Sequence, residues 1–378
     1  RNRCPIVFTP DDHRHMARAL RLAARGLFTT DPNPRVGCVA VRDGVVVGEG
    51  WHMRAGSPHA EVRALHEAGD AATGATVYVT LEPCSHHGRT PPCAHALVDA
   101  GVARVVVAMQ DPNPLVAGQG LQALRDAGIE VQAGLLEDEA ASLNPGFVMR
   151  MRHGRPWLRC KLAMSLDGRT AMASGESRWI TGSAAREDVH RLRARSSAVM
   201  TGIGTVLADD PSLTARLAGH DDRSLLQPLR VVLDSGLQLP PAAKLLQQQG
   251  ETLVVTGVDN PEREAALARP GVSAVTLPTR DGRPDLAAVL QYLARLEVNE
   301  VHLEAGARLS GALLDAGLVD ELVIYMAPHL MGDTARGLFR LPGIEKMAQR
   351  IRLSVRDIRA VGDDWRITAS VASRDEAG

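Results

Sequence analysis

The chain reads as two α/β domains in tandem, and three observations predict this. Its 378 residues exceed the roughly 250–300 at which one hydrophobic core stops growing. Apolar segments of strand length alternate with segments of helical period along most of the sequence. Strand-type periodicity stops near Gly134, and the stretch EDEAASLNPGFVMRMRHGRP carries no sustained pattern of either period. That places a boundary within residues 144–155, taken as residues 1–148 and 149–378.

The first half opens with a hairpin, since VGCVAV and VVVGEG flank Arg42-Asp43-Gly44, whose glycine suits a reversal. A helix is then expected from Pro58 to about Ala68, with Ser57 as N-cap and Pro58 as its first residue. It leads to the strand ATVYVTL; the segment Pro92 to Ala100 leads to ARVVVAM, and GQGLQALRDAG leads to IEVQAG. In the second half, WLRCKLAMS sets Leu158, Cys160, Leu162 and Met164 on one face and Arg159, Lys161, Ala163 and Ser165 on the other. Further strands are expected at SAVMTG, LRVVLDS, TLVVTG, EVHLEAG, ELVIYMAP and WRITASV. Helices are expected at Ser183 to Arg195, Pro284 to Arg295 and Ala307 to Ala316. Several of these strands run into Gly, Ser, Thr or Asp, where ligands bind in open α/β sheets.

Composition narrows the function. An apolar fraction of 45% with no run of membrane-spanning length predicts a soluble globular protein with no membrane partner. A net charge of −1 and 3% aromatic residues provide neither a polyanion-binding field nor stacking platforms, so no nucleic-acid partner is expected. Five cysteines, an odd and sparse set, and no apolar signal segment at the start point to the cytoplasm.

Chemistry concentrates in SPHAEVRALHEAG and TLEPCSHHGRTPPC. His59, Cys84 and Cys93 make three ligands for a tetrahedral zinc, with the fourth position left for water. Glu61, two residues from His59 on a helix, points elsewhere than His59 and is suited to shuttle that water's proton. Taken singly, His59 reads as a surface histidine and the cysteines as a buried pair. Together they form H-x-E followed by P-C and a second Cys, the signature of zinc nucleobase deaminases. That signature separates its cysteines by two residues, whereas eight, SHHGRTPP, separate them here.

These motifs, with NPRVGCV from Asn33 and GEGWH ending at His52, resemble the bifunctional riboflavin-biosynthesis deaminase/reductase family. The resemblance continues through KLAMSLDGRTA, SGESRWITG, GTVLADDPSLTAR, LDSGL and LEAGARLSGALLDAGLVDELVIYMAP, and so covers nearly the whole chain. It implies a cytidine-deaminase-like three-layer domain followed by a dihydrofolate-reductase-like α/β domain. The implied activities are removal of the 2-amino group of a phosphoribosylated diaminopyrimidinone and NADPH reduction of its ribosyl chain to ribityl. The implied cofactors are one Zn2+ per chain and NADPH, the partners are small phosphoribosylated pyrimidines, and a homo-oligomer is expected.

By the same resemblance His59, Cys84 and Cys93 hold zinc and Glu61 transfers protons. Asn33, His52, His86 and Arg89 contact the deaminase substrate; otherwise Asn33 is a turn residue before Pro34 and the others face water. Lys161, Ser177, Arg193, Leu213, Arg216 and Glu304 match substrate positions in the reductase, and the two arginines suit a phosphate. Ala163, Trp179, Thr205, Asp209 and Ser235 match cofactor positions, as do Gly306, Ala307, Arg308, Leu309, Ser310, Gly311 and Ala312. Gly306 follows a strand and precedes a helix, so its backbone can cradle phosphate. Two rival readings remain: a nucleoside or tRNA deaminase with an unrelated C-terminal domain, and a non-catalytic zinc module. The near-neutral charge and the matching second half oppose the first, and the second leaves Glu61 incidental.

Overall fold

The computed structural model describes residues 8–85, 92–219 and 225–372. The chain divides into two compact units, Arg1–Gly154 and Arg155–Gly378.

The first unit runs α1 (Pro10–Ala23), β1 (Gly37–Arg42), β2 (Val45–Trp51), α2 (Ala60–Ala68), β3 (Thr76–Leu81), α3 (Cys93–Asp99), β4 (Arg104–Met109), α4 (Gln119–Asp126), β5 (Glu130–Ala133), α5 (Glu137–Leu143) and α6 (Pro145–His153). Its five strands lie in the order β2-β1-β3-β4-β5; β1 is antiparallel to β2 and β3, and the remaining pairs are parallel. Helices cover both faces, so β1, β3 and β4 read as continuous apolar runs. Cys38, Ala40, Val77 and Val105 pack against Ala64 of α2, Leu97 of α3 and Leu124 of α4. On the opposite face Val39, Tyr78 and Val106 meet Met16 and Ala19 of α1 and Ala140 of α5.

Three features depart from the sequence reading. Helix α1 precedes the hairpin and is set by a capping box in Thr9-Pro10-Asp11-Asp12: Thr9 Oγ1 accepts from Asp12 N–H at 3.1 Å, and Asp12 Oδ2 accepts from Thr9 N–H at 2.9 Å. The stretch read as patternless forms α5 and α6, so a division after residue 148 falls inside α6. These helices fully bury only Ala140 and Gly146, too little for an apolar stripe of helical period. Finally, α2 begins at Ala60 with His59 as its N-cap, while Ser57 turns its hydroxyl onto the Arg54 carbonyl at 2.7 Å.

The second unit runs β6 (Trp157–Ser165), β7 (Arg169–Ala171), α7 (Ser183–Arg195), β8 (Ala198–Gly202), α8 (Ile203–Asp209), β9 (Leu229–Leu233), β10 (Thr252–Thr256), α9 (Pro261–Leu267), β11 (Val272–Thr276), β12 (Thr279–Arg280), β13 (Arg283–Pro284), α10 (Leu286–Arg295), β14 (Glu300–Leu303), α11 (Ala307–Asp315), β15 (Glu321–Ala327), β16 (Arg336–Gly337), β17 (Leu353–Val361) and β18 (Asp364–Val371). A nine-stranded sheet has the order β11-β10-β9-β8-β14-β6-β15-β18-β17. It is parallel as far as β15 and ends in the antiparallel β18-β17 hairpin. Leu158, Cys160 and Leu162 of β6 face a core that includes Leu290 and Leu293 of α10 and Leu313 of α11.

The other face of β6 is polar although the strand is central. Buried Arg159 donates to Glu300 at 3.1 Å and to Glu321 at 2.6 Å, and α7 covers this face with Arg195, 3.3 Å from Glu300. The charges are tolerable in the interior because each meets an opposite one.

Candidate active sites in the two units

In the first unit three elements converge. Strand β3 ends at Leu81 and runs on into Glu82-Pro83-Cys84, α2 presents Glu61 from its first turn with His59 as N-cap, and α3 starts at Cys93. Helix α2 crosses the sheet at backbone contact. A Cβ on Gly48 would lie 2.1 Å from the Ala64 carbonyl oxygen and one on Gly50 2.2 Å from that of Ala60, so only glycine lets Glu61 come this close.

His59 Nδ1 lies 3.1 Å from Cys93 Sγ and 3.7 Å from Cys84 Sγ, and the three donor atoms fall within 4.8 Å of one another. Zinc bonds of about 2.3 Å to sulfur and about 2.0–2.1 Å to nitrogen at tetrahedral angles put ligand atoms about 3.6 Å apart. The trio therefore fits zinc in both donor chemistry and spacing. Hydrogen bonds from the Cys93 thiol and from His59 lower the pKa of the Cys84 thiol, and the Cys93 N–H points at its sulfur from 3.3 Å. A lowered thiol pKa favours the thiolate form that ligates a metal. When bound, zinc supplies the Lewis acidity that makes water a nucleophile near neutral pH.

Glu61 is 3% exposed, and burial pushes its carboxyl up to about 7 against the opposing pull of His59. A group titrating near 7 can accept and return a proton in the same turnover. Glu61 lines a cavity of about 310 Å³ together with His59, Cys84, Asn33 and His52. Asn33 Nδ2 is 3.0 Å from His52 Nε2, and the His52 and His59 rings meet edge to face with centroids 5.4 Å apart. His86 and Arg89 lie outside the described residues.

Sequence reasoning missed Glu82. Its buried carboxylate accepts from the backbone N–H groups of Asp111 (3.0 Å), Gly118 (2.9 Å), Gly120 (2.9 Å) and Leu121 (3.3 Å), tying the Cys84 segment to the start of α4. Asp111 and Phe147 also line the cavity and were missed. The LEPC and DPNP tetrapeptides were the available signals for Glu82 and Asp111; Phe147 had none.

In the second unit Cys160 of β6 pairs with Leu303 of β14, which brings Lys161 and Glu304 alongside each other on the opposite face. Burial lowers the Lys161 pKa while Glu304 draws it back up. Burial would raise Glu304, but Arg193 holds its carboxyl well below the usual range. The Arg193 guanidinium grips this carboxylate as a fork, Nε to Oε1 and Nη2 to Oε2 at 3.0 Å, and sends Nη1 to the Thr214 carbonyl at 2.9 Å. Arg193 thus faces Glu304, whereas Arg216 is exposed. Leu213, at φ 53°, precedes that Thr214 carbonyl, which His190 Nδ1 also approaches at 3.1 Å. Buried His302 lies 3.4 Å from Glu304 Oε1; neither it nor His190 was foreseen.

The expected cofactor residues mostly gather at the carboxyl ends of strands. Ala163 is on β6, Thr205 and Asp209 are on α8 after β8, Ser235 follows β9, and Gly306 caps α11 after β14. A Cβ on Gly204 or Gly306 would meet nothing within 4 Å, so there is open space beside the backbone before α11. Arg308 and Ala312 of α11 are exposed, Ala307 and Leu309 are half-buried, and Ser310 and Gly311 are buried. Ser177 is half-buried, and Trp179 is 71% exposed with the Arg186 guanidinium 4.6 Å from its ring.

A layered sheet carrying a zinc-fitting His-Cys-Cys trio beside a buried glutamate places the first unit in the class of zinc-dependent deaminases, here joined to a reductase. The sequence profile of the cytidine and deoxycytidylate deaminase zinc-binding region matches residues 9–109, and that of the RibD C-terminal domain matches residues 156–367. The chain belongs to the RibD family, the bifunctional deaminase/reductases of riboflavin biosynthesis. It is 53% identical over 361 residues to riboflavin biosynthesis protein RibD of Escherichia coli strain K12, covering 93% of this chain and 97% of that protein. Identity to RibD of Haemophilus influenzae is 49% over 371 residues, with 96% and 98% covered. Among solved structures, RibD of Acinetobacter baumannii superposes with a TM-score of 0.90 at 49% identity over 96% of this chain and 99% of that one. A diaminohydroxyphosphoribosylaminopyrimidine deaminase/5-amino-6-(5-phosphoribosylamino)uracil reductase from Thermotoga maritima superposes at 0.85 with 32% identity, over 96% and 99%. The first unit is a zinc-binding deaminase domain, and the second is an NADPH-dependent reductase domain.

Proposed function

We propose that the chain catalyses two consecutive steps: hydrolytic deamination of 2,5-diamino-6-(5-phosphoribosylamino)pyrimidin-4-one, then NADPH reduction of the ribosyl chain of 5-amino-6-(5-phosphoribosylamino)uracil to ribityl. The observation that carries the reading is buried Glu61 beside the His59-Cys84-Cys93 trio, in one cavity with Asn33. Glu61 takes a proton from the attacking water and delivers it to the departing 2-amino group, which leaves as ammonia while the ring carbon gains oxygen. Asn33 reads the polar edge of the pyrimidine, and His52, His86 and Arg89 contact the rest of the substrate.

In the reductase, NADPH supplies the hydride. Lys161, beside the Arg193–Glu304 pair, gives its Nζ proton to the sugar oxygen as the ribose opens, and Glu304 binds the substrate. Ser177, Arg193, Leu213 and Arg216 complete the substrate site. Ala163, Trp179, Thr205, Asp209, Ser235 and residues 306–312 hold the cofactor.

The protein acts in the cytoplasm as a homo-oligomer. Among the described residues no helix is long and apolar enough to cross a membrane. Assembly is supported by edge strand β17, where Val355 is 56% and Ile358 57% exposed; sedimentation of the full chain tests it. For the two reactions the experiment is one coupled assay on the zinc-loaded chain. Ammonia release followed by stoichiometric NADPH oxidation is expected, and ammonia release without NADPH oxidation would remove the second step.

A further inference from the structure

Residues 110–155 lie between the two profile matches, 9–109 and 156–367, yet they help to build the deaminase cavity. Phe147, early in α6, is partly packed against the core under α1 and lines the cavity with Asn33, His52 and Glu61. Three residues earlier, Asn144 is 3% exposed and grips the backbone of Arg35 from both sides. Its Oδ1 accepts from the Arg35 N–H at 2.8 Å and its Nδ2 donates to the Arg35 carbonyl at 2.9 Å. The Arg35 guanidinium returns a bond to the Leu143 carbonyl at 2.8 Å. Asn33-Pro34-Arg35 is therefore held by a residue 109 positions along the chain.

The part of the chain matching the general deaminase profile supplies the metal ligands and Glu61, the reagents for deamination. Discrimination among planar heteroaromatic rings needs something more: a flat apolar surface for the ring face and a fixed amide for its edge. We propose that residues 143–147 form the specificity wall of the deaminase site, with Phe147 lying against the pyrimidine face and Asn144 acting as a positioning residue that sets Asn33 at the ring edge. The inference rests on the deaminase reading given above.

The test uses the full chain, zinc-loaded, with the diaminopyrimidinone substrate. Ammonia release is measured with zinc content, and NADPH-dependent reduction of pre-deaminated substrate serves as an independent sign of folding. Phe147→Leu is expected to raise the deaminase KM about three- to tenfold while kcat, zinc and reduction hold, the pattern of lost uniform binding. Asn144→Ala is expected to raise KM and to be non-additive with Asn33→Ala, because both act through one contact. An unchanged KM in Phe147→Leu overturns the wall, as does loss of zinc in that variant, which would make Phe147 a determinant of the fold. Additive effects at Asn144 and Asn33 overturn the positioning role. If the unsubstituted chain releases no ammonia from this substrate, the proposed function itself fails, a result read on a different protein sample from the others.

Discussion

Glu61 and Lys161 are ionisable groups placed where burial works against their charge, and at each burial outweighs the opposite neighbour. For Glu61 the balance leaves a carboxyl near 7, with His59 the opposing charge. Glu61→Gln keeps the shape but cannot carry a proton, so ammonia release is expected to fall by about a thousandfold with zinc content unchanged. Metal analysis and ammonia release on one preparation check this; zinc loss equal to that of Cys84→Ser would make Glu61 a ligand. Lys161 answers the question its strand poses, because the polar group against it on this central strand is Glu304. Lys161→Ala is expected to depress NADPH-dependent reduction about a hundredfold, in kcat if the contact belongs to the transition state, while deamination and zinc persist. Steady-state kinetics of both half-reactions decide; unchanged reduction would show that Lys161 has no part in the reductase reaction.

Elements hold these residues in place by contacts that sequence neighbours do not make. Helix α2 rests on Gly48 and Gly50, and the Cys84 segment is pinned by Glu82 to the start of α4. At the opposite end of the sheet α1 is anchored by Asp12, whose carboxylate takes bonds from Thr9, Tyr78 at 2.7 Å and Arg104 at 2.8 Å. Burial alone would raise the Asp12 pKa, but Arg104 and the other donors hold it well below 3.8. A depressed carboxyl contributes stability that is fully present above its unfolded pKa and is lost as pH falls through the folded one. Protection of α1 amides against hydrogen exchange, corrected for intrinsic rates, is therefore expected to hold down to about pH 4 and to decline below it. Asp12→Asn should lower that protection by about 2 kcal/mol at neutral pH and remove the acid-dependent part of the decline. Equal acid sensitivity in both proteins would refute the assignment. The TPDD box made α1 legible in principle, whereas α5 and α6 bury too little apolar surface to announce themselves.

For the whole molecule, the proposed sites lie each within one unit, so their losses should separate. A chelator that strips zinc from the full chain is expected to abolish ammonia release and leave reduction of pre-deaminated substrate intact. A protease site inserted between Gly154 and Arg155 should preserve deamination after cleavage, because Asn144 and Phe147 stay with the first unit. A site placed after Val148 cuts α6 one residue past Phe147 and should raise the deaminase KM. Equal activity after the two cleavages would argue that α6 has no part in the deaminase cavity.

What the sequence by itself determined is the reagent set and the alternation of elements. His59, Glu61, Cys84 and Cys93 are legible because metal ligation and proton transfer demand particular residue types at short spacing, and strands buried on both faces announce themselves as apolar runs. Tertiary structure alone decided that Arg193 faces Glu304, that the strand of Lys161 is central in its sheet, and that Asn144 reaches Arg35 across the fold. The physical reason is that such contacts join residues far apart in sequence through backbone amides or single charges. Any asparagine or arginine offers those groups, and only the folded chain selects which one arrives.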